Sequence, residues 1–301
     1  MNPRHRRALI PGLLVILLVI VLIAALAREA GAADDETEAD VEPVSTITDA
    51  RVPESSALVV SKRDPELAYT VNDSGNEPTV FTVEISTGDV VGATRLRGAE
   101  LVDAEALTID QDGTLWVADI GDNDAIRSTV SLYAMEEPVL GEKSVRPLRY
   151  QVRYSDGSAD AEALLAAPSG RGMFIVSKGL LGGQVYRLPQ TLSRTSVNVA
   201  EPLADAAAPA LVTDGDFLPD GERVALRTYL GVHLLDAETW QETWSASLPE
   251  TSQSESLAAE PDGTSVLVGS EGLPSPIQRV TLPEDQRAAM LAPASGIIDL
   301  D

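Results

Sequence analysis

The sequence predicts an all-β fold: a β-propeller of five blades, each of four antiparallel strands, preceded by one N-terminal transmembrane helix, with six blades as the alternative. Three observations predict it. A strand–turn–strand pattern recurs five times, two further strand-like runs follow each of the first four recurrences, and helix signals beyond the N-terminus are confined to "EDQRAAML" (284–291). Sequential four-stranded units are the signature of propeller blades.

The N-terminal element comes first. Arg4, Arg6 and Arg7 precede an uncharged apolar run from Ala8 to Ala27. A helix needs about 20 apolar residues to cross a hydrocarbon core of about 30 Å, whereas signal-peptide cores run to about 7–15. Residues 8–27 therefore read as a signal anchor and 1–7 as a basic cytoplasmic tail. Cleavage near Ala32, releasing a secreted chain, is the alternative. Residues 28–43 read as an acidic linker, and their "DDETEAD" opposite the basic flank places the domain at 44–301 outside the cytoplasm.

Composition narrows the chemistry. The absence of cysteine excludes disulfides, zinc-thiolate sites, thiol nucleophiles and a lipid-bearing cysteine. With 47 acidic against 22 basic residues, the chain repels phosphate backbones, so nucleic acid is excluded as a partner. The membrane (through 8–27) and an unknown ligand or surface protein remain as partners, and a monomer is expected.

The repeats set the blades. "EALTIDQDGTLWVADIG" (105–121), "EALLAAPSGRGMFIVSKG" (162–179) and "ESLAAEPDGTSVLVGSEG" (255–272) each place a leucine two residues after a glutamate and a turn glycine eight after it. "TDGDFLPDGERVALRTY" (213–229) repeats the pattern with Asp214 or Asp216 as the carboxylate, and "SSALVVSKRDPELAYTVNDSG" (55–75) repeats it with serine. Pairs of further strands follow, such as "TVFTVEI" (79–85) with "VVGATRL" (90–96). The fifth unit shows three strands, and "VSTIT" (44–48) is expected to supply its outer one, closing the ring.

This geometry sorts the carboxylates. First-strand starts and second-strand ends share one face of a propeller, and the hairpin turns lie on the other. Asp64, Asp110, Asp112, Asp220 and Asp262 fall in turns, where Asp satisfies local backbone. Asp103, Glu105, Asp119 and Asp122 fall on the other face with Asp73, Asp160, Glu162, Asp214, Asp216, Glu255 and Glu271. Like charges gathered at a low-dielectric mouth cannot all stay ionised without compensation. Oxygen-only donors suit calcium better than zinc, which makes Glu105, Asp119, Asp122, Glu162, Asp214, Asp216 and Glu255 candidate metal ligands. The competing readings are a solvated rim, or acids paired with Arg227, Lys178 or Lys62. Lys178 and Arg227 read as standing where Asp119 stands in their own blades.

"NDSG" (72–75), "DAEAL" (103–107) and "DIGDN" (119–123) resemble a group of exported bacterial β-propellers near the phytase-like and esterase-like families. A wider similarity is to calcium-dependent propellers of the gluconolactonase and paraoxonase type. The resemblance covers most of the chain after Pro43 and implies a channel calcium held by Glu105, Glu162 and Glu255, with Asp119, Asp122 or Asn123 from second-strand ends. Two departures stand out: His233 is the one histidine beyond the membrane segment, and Lys62, Lys143 and Lys178 are the only lysines to meet a phosphate.

No Gly-x-Ser-x-Gly, GxGxxG, Walker A or HExxH motif is present. The expectation is thus a tethered propeller that binds a cation, and through it a ligand or partner, at the top of its channel. The rival is a calcium-dependent hydrolase of an ester, lactone or phosphoester, and the third reading is a scaffold without metal.

Overall fold

The computed structural model describes residues 38–168, 170–249 and 253–288. The expected transmembrane segment, 8–27, lies outside them; among the described residues no helix is long and apolar enough to cross a membrane. The described chain is all-β, apart from one 3-10 turn at Glu284–Gln286. The longer helix suggested by "EDQRAAML" does not continue: Arg287 is already extended, and the Ala288 N–H donates to the Gly263 carbonyl at 2.9 Å, drawing the chain onto a hairpin turn.

The strands run β1 (Asp40–Ile47), then a first unit of β2 (Ser55–Val60), β3 (Leu67–Asn72), β4 (Thr79–Glu84) and β5 (Val90–Leu96). The second unit holds β6 (Ala104–Ile109), β7 (Thr114–Asp119), β8 (Val130–Glu136), an excursion β9 (Gly141–Val145), and β10 (Leu148–Tyr154). The third is β11 (Ala161–Ala166), β12 (Met173–Ser177), β13 (Gly183–Arg187) and β14 (Asn198–Ala208). β15 (Val212–Phe217), β16 (Arg223–Thr228), β17 (Gly231–Asp236) and β18 (Glu242–Ser247) make the fourth. The fifth is β19 (Ser254–Ala259), β20 (Ser265–Ser270) and β21 (Ser275–Thr281).

β1 completes the fifth unit, pairing antiparallel with β21 from Asp40↔Thr281 to Ile47↔Ser275. It begins at Asp40, four residues inside the stretch read as linker, because Val41 and Val44 both pack against apolar clusters. Ile47 is fully buried in this seam. Ile47→Ala is expected to cost about 3 kcal/mol, read by thermal denaturation; a change within about 0.5 kcal/mol would mean the strand contributes no closure.

First strands are buried along their length, as in β6 and β11, because sheets cover both faces. That is why they read as near-continuous apolar runs rather than alternating ones. They touch one another in ring order: β2, β6, β11, β15, β19 and back to β2. Five apolar clusters fill the gaps, each shared by consecutive units: Tyr69 with Leu107, Leu132 with Leu164, Phe174 with Phe217, Leu234 with Leu257, and Ile277 with Leu58.

Two connections were not expected. β9 runs parallel to β5 (Gly92↔Gly141), extending the first sheet to five strands. β10 pairs parallel with β14 over Val152–Tyr154 and Asn198–Ala200, joining the second and third units into one eight-stranded sheet. Hairpin turns follow their sequence chemistry. Asp110 Oδ1 accepts the N–H groups of Asp112 and Thr114, both at 3.0 Å, and Gly113 takes the left-handed φ of 77° that the turn requires.

Candidate functional site

One irregularity, repeated five times, builds the site. Pairing between the first and second strands slips at the second residue of every unit: between Ser55 and Ala57, Ala104 and Ala106, Ala161 and Ala163, Val212 and Asp214, and Ser254 and Ser256. A bulge turns its extra residue out of the ladder and re-aims the side chain. The bulged residues are Ser56, Glu105, Glu162, Thr213 and Glu255. Three glutamates thus occupy one structural position, and in the fourth unit that position belongs to Thr213 rather than to Asp214 or Asp216.

The same slip shifts the second strands. Asp119 pairs with Ala104, and its equivalents are Ser177, opposite Ala161, and Thr228, opposite Val212. Lys178 stands one residue beyond that position and Arg227 one before it, so neither replaces Asp119 as the sequence suggested.

Asp73, Asp103 and Glu105 form the densest cluster. One carboxylate oxygen from each lies within 4.8 Å of the others. Ser56 Oγ donates to Glu105 Oε2 at 2.7 Å, and the Ser74 N–H donates to Asp73. Gly121 lies against the cluster: a Cβ there would meet Asp103 Oδ2 at 2.6 Å and Glu105 Oε1 at 2.7 Å. Burial, and after it the neighbouring carboxylates, push Asp103 up to about 7 and Glu105 well above the usual carboxylate range; burial lifts Asp73 to about 6. Arg127 draws Asp103 down only in part, so burial and the neighbouring acids prevail there.

Beside them, Lys178 Nζ donates to Glu162 Oε1 at 2.8 Å and sits 5.0 Å from the centre of the Tyr229 ring. Burial pulls the ammonium down, but Glu162, Tyr229 and Glu255 together hold it well above its ordinary value. Burial raises Glu162 to about 7 against the pull of Lys178, and Glu255 to about 8. Arg227 is fully buried, and its Nε and Nη1 make no hydrogen bond among the described residues. Burial lowers it to about 10, partly offset by Glu255 and Asp214. Lys62 instead donates to the Asp110 carbonyl at the turn end. Pairing with a cation therefore accounts for Glu162, whereas Asp73, Asp103 and Glu105 form no ion pair among the described residues and feel Arg127 only from its pairing with Asp119.

No protein-family model matches the sequence, and no curated protein matches it.

The other expected ligands are occupied elsewhere or turned outward. Asp119 Oδ1 accepts the N–H groups of Val102 and Asp103 at 2.9 and 2.8 Å, and its Oδ2 accepts Arg127 Nη2 at 2.7 Å. Asp122 accepts the N–H groups of Ile126 and Arg127, closing its own loop, and Asn123 is exposed. Asp214 and Asp216 point at strand edges. Asp214 Oδ2 accepts Leu257 N–H at 2.8 Å and Leu58 N–H at 3.4 Å, and Asp216 Oδ2 accepts Ala259 N–H at 3.1 Å. A first strand has no ladder partner on its inner edge, and these two carboxylates supply the missing acceptors. Sequence reasoning placed Asp73 and Asp103 on one face with Glu105 but did not choose them as ligands; the approach of "NDSG" to "VDAEAL" across two units was the available signal.

Calcium oxygens lie about 2.3–2.6 Å from the ion, so two that share one ion are at most about 5 Å apart. The Asp73–Asp103–Glu105 spacing meets that limit, and its all-carboxylate donors suit a hard cation. The clefts lined by Arg171, Arg187 and Gln190, and by Asp112, Trp116 and Tyr150, open at the turn end instead.

Proposed function

We propose that the five units are the blades of a five-bladed β-propeller, held at the outer face of a membrane by residues 8–27, that binds a cation, most suitably calcium, at one mouth of its channel. The observation that carries this reading is the Asp73–Asp103–Glu105 cluster, three carboxylates from two adjacent units that converge within 4.8 Å of one another and form no ion pair among the described residues. Asp73, Asp103 and Glu105 would hold the ion, while Glu162 and Glu255 line the same mouth. The bound ion in turn offers an anchoring point for a ligand or partner.

A specific feature keeps the hydrolase as a second reading. Glu255 at about 8 and Glu162 at about 7 are poised to exchange protons near neutral pH without a histidine. A bound cation would supply charge stabilisation to a polarised ester or phosphoester oxygen.

The test is calorimetric titration of the full-length chain with calcium. Saturable binding is expected, abolished in Asp103→Asn, Glu105→Gln and weakened about tenfold in Gly121→Ala, whose methyl group displaces both carboxylates at a cost of about 1.4 kcal/mol. Binding that is unchanged in these variants, or no binding, overturns the assignment.

A further inference from the structure

Among the described residues ten large apolar side chains are exposed, and six of them lie in loops at the end of the units that carries the carboxylates: Val102, Ile126, Leu180, Leu181, Leu230 and Leu273. Apolar residues scattered singly over a surface need no explanation. These six share one end of the second to fifth units. Val102 precedes Asp103, Leu180 and Leu181 follow Lys178, Leu230 follows Tyr229, and Leu273 lies two residues beyond Glu271. The Ile126 N–H donates to Asp122 Oδ1 at 3.0 Å. The other four lie on the outer strands or at the turn end.

The loops that carry these side chains are braced. Asp122 accepts two N–H groups of its own loop, and Arg127 Nη1 donates to the Gly121 carbonyl at 2.6 Å. The Leu211 N–H donates to Gly179 at 2.9 Å, holding the base of the loop with Leu180 and Leu181. Thr228 Oγ1 accepts the N–H groups of Leu230 and Gly231 at 3.3 and 3.1 Å. Apolar side chains on ordered loops are presented for contact with little ordering left to lose.

An end that carries apolar loops together with an acidic cluster selects its partner by charge. A second copy of the chain would bring like-charged centres together, and anionic lipid would meet the same repulsion. We propose that this end docks a protein segment presenting a lysine or arginine flanked by apolar side chains, the cationic group facing the carboxylates and the flanks covering the apolar loops. The proposal shares the carboxylates of the cation reading and adds to them the apolar side chains of the surrounding loops.

Fluorescein-labelled Gly-Leu-Leu-Arg-Leu-Leu-Gly tests it by polarisation against the full-length chain in EDTA, which makes the result independent of calcium. Relative to peptides with Glu for Arg, or with Ser for every Leu, binding tighter by about tenfold or more is expected. Leu181→Asp and Ile126→Asp, at positions 100% and 76% exposed, should each weaken it by a similar factor of about ten, while Leu140→Asp at the turn end should leave it unchanged. Equal binding of the three peptides, no binding, or indifference to Leu181 and Ile126 overturns the proposal. Leu181-dependent pelleting with neutral phosphatidylcholine vesicles, without discrimination among the peptides, would assign these loops to lipid and also overturn it. Loss of calcium binding with peptide binding intact would instead count against the cation reading alone.

Discussion

Asp214→Ala is expected to lower the unfolding free energy by about 3–4 kcal/mol, in the range found when one partner of a buried charged network is removed. Asp214 is fully buried, and its carboxylate accepts the N–H groups of Gly215 and Leu257 at 2.8 Å and of Leu58 at 3.4 Å. It thereby joins β15 to β19 and β2 across the ring. Removing it leaves the Leu257 N–H buried without an acceptor, a penalty of about 1–3 kcal/mol by itself. It also takes a carboxyl group from opposite Arg227, its register partner. Burial raises the Asp214 pKa well above the usual range, with the donated N–H groups opposing, so the side chain acts as an acceptor whether or not it holds a proton. Asp214→Asn keeps one such oxygen and should lose less than half as much. Urea denaturation reads both; a loss under about 1 kcal/mol for the alanine variant would show that the staple across the ring is dispensable.

Without a divalent cation, stability is expected to fall as pH rises from about 5 to about 8. Burial is the first cause of the raised values at the mouth, with neighbouring carboxylates adding to it: about 6 for Asp73, about 7 for Asp103, Glu162 and Glu271, and about 8 for Glu255. An unfolded carboxylate titrates near about 4. Between that value and the raised one the folded chain binds more protons than the unfolded chain, so stability is fully present below about 4 and is lost as pH climbs through the folded values. Asp49, held low by Arg51, and Asp236, held low by Thr239, work in the opposite direction but below this window. Calcium replaces the protons as the compensating charge and should restore stability at pH 8. Melting curves in EDTA and in calcium check this, with a fall of about 5 °C or more expected between the two ends in EDTA. A melting temperature in EDTA that is flat or rises with pH would sink it.

Much of the fold was legible because the repeated hairpin carries its own chemistry. Asp-Gly turns announce themselves through Asp110 and Gly113, and runs such as "AEALTI" and "AEALLA" declare strands covered on both faces. The outer strand of the fifth unit could be inferred from the shortage there, and β1 fills it. What stayed hidden depends on register. A one-residue bulge has no compositional mark, so nothing in "DAEAL" says that Glu105 leaves the ladder while Asp119 turns back to cap the Val102 and Asp103 N–H groups. In the same way "TDGD" offered two carboxylates as counterparts of Glu105, whereas the bulge selects Thr213 and sends both aspartates to strand edges. "GEKSV" is polar and short, and β9 exists because the neighbouring β5 leaves an edge to be paired.

Calcium titrations at pH 6.5 in two buffers of different ionisation enthalpy test the cation site most directly, because they count protons as well as ions. Carboxyl groups that share protons at the mouth must give them up to bind the metal. Release of about one proton per calcium is expected, with both signals lost in Asp103→Asn, Glu105→Gln. Calcium binding with no proton release, or release that persists in that double variant, would contradict the site at Asp73, Asp103 and Glu105 and move the cation elsewhere on the chain.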